Sequence, residues 1–576
     1  MSERKIGVYV CHCGGNISDY VDVEQVVNAI KDEEDVAIAR TAMFTCSDAT
    51  QQEIYEDIER LGLDGLVVAS CSPKLHTFTF RGVAKRAGLN PFQYTQVNVR
   101  EQCSWAHTDD RAGATEKAVR LVRAGIARTR LLKPLEPTVV ETVPKTLVIG
   151  AGIAGLRAAI GLADIGLSVV VVEREPEVGG WVRELGPMYP HDKVGSELIA
   201  QLEAEVRRRE NIVVFTSAEV VRKAGSFGNY LVDIKTHRPS TMTMQIQVGS
   251  IIVATGFDTY QPQEGEYGYG IEGVVTLPEY KAMLDAGDGP LVYHGRTVRN
   301  VAYIYCVGSR QGESGPNQYC SRFCCSSAVH SALRLHGRDP KTHQYHLYRD
   351  MRTYGKYELM YLESREKGSV YLKFPEEEPP AVQRGADGRL LVTVRDQLTS
   401  QHEMQIPVDL VVLVTGMVPR ENSELVQVLK LPVGRDGFFN EIHPKLRPVE
   451  TVVDGVSICG ACQFPKNASE SVASGLAAVT LSAAMLKQGR AELDPQVATV
   501  DPEVCTDCGT CYAVCPYDAI APREGMDGKR VAVIDAATCK GCGGCAPLCP
   551  ERAIDLQGYT KGQVLAMIDG LAREVG

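Results

Sequence analysis

The 576-residue chain, 44% hydrophobic and 23% charged, is long enough for several domains with cores of their own. A formal charge of −11 works against non-specific nucleic-acid binding, which needs Lys and Arg to neutralise phosphates, and leaves proteins as the expected partners. No N-terminal stretch joins basic residues to an apolar run, and the longest apolar segments, such as 169–172, are strand-sized; neither export nor membrane insertion is expected, and the chain reads as cytoplasmic.

Residues 1–133 alternate β-branched runs with amphipathic stretches and read as a small N-terminal α/β domain. Cys11 and Cys13 follow a strand expected at 6–10, Cys46 follows 37–45, Cys71 follows 66–70, and Cys103 lies just past 94–99. In an open parallel sheet the carboxyl ends of strands converge on one ligand-binding edge, so these thiols can meet at one cluster. Five candidates compete for four places. His12, His76 and His107 nearby receive no role, since histidines are more often satisfied by hydrogen bonds than ligating.

Residues 134–145, with Pro134, Pro137 and Pro144, lack helical or strand periodicity and read as a linker. From 146 to 490 the pattern is that of a nucleotide-binding α/β domain with a polar, two-strand insert around 371–408. A strand ending at Ile149 runs into Gly150-Ala-Gly152-Ile-Ala154-Gly155, then an Ala-rich helix, then a strand ending at Glu173. Gly150 permits the turn, Gly152 lets a pyrophosphate reach the helix N-terminus, Gly155 allows close helix packing, and Glu173 can hold a ribose hydroxyl. Gly179-Gly180, then Ala254-Thr255-Gly256, then 455–462 resemble the later motifs of two-dinucleotide flavoproteins, which favours FAD over NAD. That resemblance also puts Ala154, Val220, Gly460 and the helix from Ser471 against the flavin. Its usual acid is missing: Ala461 stands in the place, which leaves backbone contacts there.

A pyridine nucleotide needs a second glycine turn, and here the strand 301–305 leads into Cys306-Val-Gly308-Ser-Arg310, with one glycine. In its place stand Cys306, Cys320, Cys324 and Cys325, enough thiols to hold a cluster beside the flavin. From 491 to 576 two similar halves repeat. Cys505, Cys508, Cys511 and Cys515 precede Pro516, and Cys539, Cys542, Cys545 and Cys549 precede Pro550, both with the C-x2-C-x2-C-x3-C-P spacing of two-cluster ferredoxins. In that arrangement the fourth cysteine of each run serves the other 4Fe–4S cluster, so Cys549 joins the first set and Cys515 the second.

Cys11-His-Cys-Gly-Gly, Thr45-Cys-Ser, Cys71-Ser-Pro, Glu101-Gln-Cys-Ser-Trp105, the Cys306–Cys325 set, Gly460-Ala-Cys and the ferredoxin repeat together resemble the A-type subunit of heterodisulfide reductase over nearly the whole chain. The resemblance implies an FAD and iron–sulfur electron-transfer subunit that takes electrons from a hydrogenase or formate dehydrogenase module and passes them to ferredoxin and to B- and C-type subunits. It also implies a homodimer within a larger complex, with bifurcation or confurcation at the flavin. The expected fold is α/β: the N-terminal domain, a thioredoxin-reductase-like FAD domain and a C-terminal two-cluster ferredoxin domain. Two departures stand out. No cysteine lies in 181–212, where many family members carry an extra ferredoxin domain, and His330 replaces a lysine near the flavin. A histidine can lose its charge near neutral pH where lysine keeps it, which makes His330 the candidate catalytic residue. Two rival readings are an NAD(P)H:ferredoxin oxidoreductase similar to the glutamate synthase small subunit, and a scaffold with redox-silent clusters.

Overall fold

The computed structural model describes residues 4–313, 315–386, 388–399, 402–524 and 528–573. The chain divides into two units, one of residues up to Val140 together with those from Glu492 onward, the other of Glu141–Ala491. The N-terminal and C-terminal segments, separate domains by their sequence patterns, thus pack as one unit.

In the first unit four parallel strands form a sheet in the order Val36–Ala42, Ile6–Cys11, Gly65–Ser70, Tyr94–Asn98. The two central strands are buried along their whole length, as expected of a sheet covered on both faces. Helices Val23–Ile30 and Arg111–Arg130 cover one face through Val26, Ile30, Ala118 and Val122, while Ile54, Ile58, Phe80 and Val83 pack on the other. Asp22, Ser47 and Asp110 cap three of these helices through their side chains.

The C-terminal segment has two antiparallel ribbons, Ala498–Val500 with Ile554–Leu556 and Ile520–Glu524 with Arg530–Ile534, before the helix Lys561–Ala572. Arg128 anchors it to the helix Arg111–Arg130. Only 3% exposed, its guanidinium donates to the Gly558 carbonyl at 2.7 Å and to Thr95 Oγ1 at 2.9 Å, and lies 3.9 Å over the Tyr559 ring. A buried cation is tolerated because hydrogen bonds and an aromatic face replace its water. Gly570 meets the backbone of Ala124 so closely that an added Cβ would lie 3.0 Å from it.

The second unit holds two five-stranded parallel sheets. One runs Ile212–Phe215, Ser168–Val172, Lys145–Ile149, Ser250–Val253, Val456–Ile458, and the other Val274–Thr276, Leu410–Thr415, Asn300–Val307, His343–Tyr348, Val370–Lys373. Each is accompanied by a three-stranded antiparallel sheet, Ala218–Ser226 with Asn229–Thr236 and Met242–Val248, and Ala381–Arg384 with Leu390–Arg395 and Glu403–Val408. The insert expected as two strands therefore has three. Its first strand is short and largely exposed, so it lacks the alternation that marks a half-buried strand. The linker also holds a short strand, Thr138–Glu141.

Among the described residues one helix, Ala468–Leu486, is long and apolar enough by length and composition to cross a membrane. Here it packs against the helix Ile153–Asp164, with Gly475 close over the Ala154 carbonyl and Val479 over Gly161.

Candidate functional site: a dinucleotide cavity bordered by thiols

The strand Lys145–Ile149 ends at Gly150, whose φ is +102° and whose added Cβ would lie 2.4 Å from the Ala254 carbonyl. Gly155 is closer still: its Cβ would sit 1.9 Å from the Gly150 carbonyl, so the helix can approach the turn only without a side chain. Glu173, buried, accepts from the Ala151 N–H at 2.6 Å and the Glu175 N–H at 2.9 Å, which ties the second strand's end to the glycine turn.

These elements border a cavity of about 910 Å³. Gly150, Gly152, Ala154, Glu173, Gly180, Val220, Thr255, Gly256, Gly460, Ala461 and Ser471 all line it, while Gly155 sits behind the turn. The cavity is near the upper end of small-ligand sites, at ~300–1,000 Å³. Two hydroxyls in its wall, those of Thr255 and Thr415, are buried without a protein partner. Unsatisfied buried donors beside a glycine turn and a helix N-terminus fit a large polar ligand of the dinucleotide class.

His330 and Cys324, both on the helix Cys324–Arg338, reach the same cavity. His330 Nε2 lies 3.2 Å from Asp192 Oδ1. Burial lowers its pKa, the Lys281 ammonium lowers it further, and Asp192 opposes both. Lys281 carries no motif that marks it in the sequence. It comes from the helix Leu277–Asp285, and burial together with Arg334 brings its pKa down to about 8.

Behind Cys324 the other three thiols gather. Cys325 hydrogen-bonds with Cys324, Cys306 and Cys320 each raise the Cys324 thiol, and Cys325 raises that of Cys306. Arg310 Nη1 stands 4.0 Å from Cys306 Sγ, with Arg349 beside it, and the Arg322 N–H donates to Cys320 Sγ at 3.3 Å. Cations and N–H donors around four thiols suit thiolates bound to a cluster. Gly308 turns with φ +70°, but the Tyr260 ring lies where its Cβ would be, at 1.9 Å, and covers the turn that a pyridine nucleotide would use.

In the first unit, Cys11 Sγ accepts from the N–H groups of Cys13 at 3.3 Å and Thr45 at 3.4 Å, and Arg100 donates to Cys13 Sγ at 3.6 Å. Burial and the neighbouring Cys11 and Cys13 raise the Cys46 thiol. Burial also brings Cys71 to about 11, opposed by Arg100 and helped by Glu101, Cys13 and Cys11. Cys103 does not join these four. At 0% exposure it lies in the apolar core with Val10, Val99, Ala114 and Ala118, pushed up to about 11 by burial alone and opposed only by Lys117.

The C-terminal cysteines fall into two mixed sets. Cys505, Cys508, Cys511 and Cys549 line one small cavity, although Cys549 belongs to the second run. Cys545 is pushed up to about 11 by burial and then by Cys539, Cys542 and Cys515, the last from the first run. Backbone N–H groups of Ala532, Ala519 and Ala553 donate to Cys505, Cys515 and Cys549 at 3.3–3.4 Å. Among the described residues no three His, Cys, Asp or Glu side chains converge tightly enough for a single metal ion.

Two families match parts of the chain: a pyridine nucleotide-disulphide oxidoreductase over residues 144–292 and a 4Fe–4S dicluster domain over residues 504–553. A T. acidophilum thioredoxin reductase superposes with a TM-score of 0.42 at 16% identity, over 59% of this chain and 97% of its own. Relatives over most of the length include the second A-type iron–sulfur subunit of CoB–CoM heterodisulfide reductase from Methanopyrus kandleri, 36% identical over 92% of both chains. Another is the A-type subunit of the H2:CoB–CoM heterodisulfide,ferredoxin reductase of Methanothermobacter marburgensis, 36% identical over 91% of this chain and 92% of its own. The A-type subunit of the H2/formate:CoB–CoM heterodisulfide,ferredoxin reductase of Methanococcus maripaludis is 33% identical over 92% and 93%. With its flavin-type oxidoreductase fold and its dicluster domain, the chain belongs to the family of A-type heterodisulfide reductase subunits, which are electron-transfer oxidoreductases.

Proposed function

We propose that this subunit joins two-electron chemistry at an FAD to one-electron transfer through four 4Fe–4S clusters. One is held by Cys306, Cys320, Cys324 and Cys325, one by Cys11, Cys13, Cys46 and Cys71, and two by the C-terminal sets. The reading rests on one observation: Cys324 borders the same cavity as the dinucleotide turn at Gly150 and Gly152. Gly150, Gly152 and Glu173 would hold the pyrophosphate and ribose, Thr255, Gly460, Ala461 and Ser471 the flavin end. When bound, FAD supplies the exchange between electron pairs and single electrons.

The chain's own residues do the rest. Arg310, Arg349 and the N–H of Arg322 offset the charge of thiolates beside the cavity, which raises the potential of a cluster held there. His330, kept neutral by burial and Lys281, donates from Nε2 to the Asp192 carboxylate and can take a proton at Nδ1, the carboxylate then facing the imidazolium.

The donor is a hydrogenase or formate dehydrogenase module, and the acceptors are ferredoxin and B- and C-type subunits, in a cytoplasmic complex built on a homodimer. Flavin-based bifurcation or confurcation demands crossed one-electron potentials, so well-separated, normally ordered flavin steps in a redox titration would rule it out. The deciding experiment is anaerobic isolation of the native complex, with its subunits identified and iron and flavin counted per chain. Zinc in place of iron, or no flavin after reconstitution, overturns the reading. Rapid flavin bleaching by NAD(P)H alone favours the NAD(P)H:ferredoxin oxidoreductase instead.

A further inference from the structure

We propose that Cys459 and Cys462 form a dithiol–disulfide couple in the wall of the flavin cavity, a two-electron site separate from the cluster thiols. Neither belongs to any of the four thiol sets. They close a Cys-Gly-Ala-Cys turn: the strand Val456–Ile458 hands the chain to Gly460, with φ +74°, and residues Gly460–Cys462 form a single 3-10 turn. Cys462 Sγ folds back to 3.1 Å from the Cys459 carbonyl and 3.5 Å from that of Val253. Both thiols are unbridged, so the structure shows the reduced partner of the couple, with the two cysteines three positions apart in a C-x-x-C turn.

Both thiols are closed to solvent, Cys459 at 0% and Cys462 at 2% exposure, whereas Gly460 and Ala461 between them face the cavity. An occupant of the cavity is therefore the redox partner nearest the pair, and a small reagent reaches the sulfurs only as the turn opens. Lys466, buried and held by Gln463 Oε1 at 2.6 Å, sits in the same wall with its ammonium acting on both sulfurs. Backbone N–H groups of Thr255 and Gly256 act on Cys462 alone. Burial raises both thiols, and at Cys462 these extra groups work against it.

Oxidation forms one S–S bond from two S–H groups and releases two electrons and two protons. The acceptor in the working protein is the oxidised flavin, which takes both pairs, and on this point the inference rests on the proposed function. Reduction by the reduced flavin runs the same step backwards. The couple would store an electron pair beside a centre that hands electrons on singly.

The test uses the anaerobically purified full-length protein, either reduced with dithiothreitol and desalted or oxidised with diamide. Each sample is quenched in acid, unfolded and alkylated, and the peptide carrying both cysteines is weighed. Two labels in the reduced sample and none in the oxidised one, with loss of two hydrogens, is the expected result. The Cys462→Ser protein should carry one label in both. Two labels on the wild-type peptide in both states, or a gain of oxygen in place of the lost hydrogens, overturns the proposal. If the protein holds no flavin but its peptide still cycles between two labels and none, the flavin reading fails and the couple stands.

Discussion

His330 Nε2 and Asp192 Oδ1 stand 3.2 Å apart, with the imidazole buried and the carboxylate largely exposed. Burial and Lys281 outweigh the carboxylate and hold the imidazole below its ordinary 6.5. The unfolded residue takes a proton near 6.5, and the folded one resists to lower pH. Its contribution to stability is thus complete above 6.5 and is lost progressively as the pH falls from that value through the lower folded midpoint. Selectively labelled NMR should give a His330 midpoint below 6.5, moved further down by Asp192→Asn. A midpoint above 6.5 would contradict the geometry.

Lys281 carries the opposite sign. Its charge depresses His330, so Lys281→Met should raise the His330 midpoint. With its own pKa near 8, Lys281 should also give flavin potentials a change of slope against pH around that value. Potentiometry of the variant should lose the break, and a break that survives assigns it to another group.

Asp57 is buried while accepting from the Tyr9 hydroxyl at 2.9 Å, Arg40 at 3.0 Å and Arg60 at 2.7 Å. Asp57→Ala strands the Tyr9 hydroxyl in the core and should cost about 2–3 kcal/mol, less than a fully buried ion pair because both arginines reach solvent. Hydrogen exchange at the amides of Ile6–Cys11 should report the loss as faster opening; unchanged protection would sink the estimate.

The flavin turn and the ferredoxin repeat were legible because their chemistry is local: Gly150 to Gly155, or four cysteines within eleven residues, carry the geometry in their spacing. The N-terminal thiols are brought together by strand order, which spacing does not encode. Cys103 follows a strand as Cys71 does, but the turn Arg100–Ser104 sends its side chain into the core and leaves Arg100 to face Cys13. Lys281 sits in an ordinary capped helix, and only the tertiary packing of that helix against His330 gives the lysine a role. Nor does any local pattern announce Arg128, whose partners Gly558 and Tyr559 lie more than four hundred residues away.

That separation of Cys103 makes the N-terminal cluster testable. Cys46→Ala should lower iron by about four per chain, one cubane, whereas Cys103→Ala should leave iron unchanged and cost only the packing of one sulfur. Equal iron loss in both variants would place Cys103 among the ligands and refute the four-thiol assignment.

The C-terminal sets make the sharpest test, because sequence order and spatial order disagree. Cys549 lines the cavity of Cys505, Cys508 and Cys511, while Cys515 acts on Cys545 alongside Cys539 and Cys542. If each cluster draws its fourth thiolate from the other run, Cys505→Ser and Cys549→Ser should perturb one EPR signal of the reduced protein. Cys539→Ser and Cys515→Ser should then perturb the other. Each cluster would link the two halves, so losing one ligand should also loosen the ribbon contributed by the opposite run. Grouping by run, with Cys505 and Cys515 affecting a common signal, would show that each half folds around its own cluster and that the crossed arrangement is wrong.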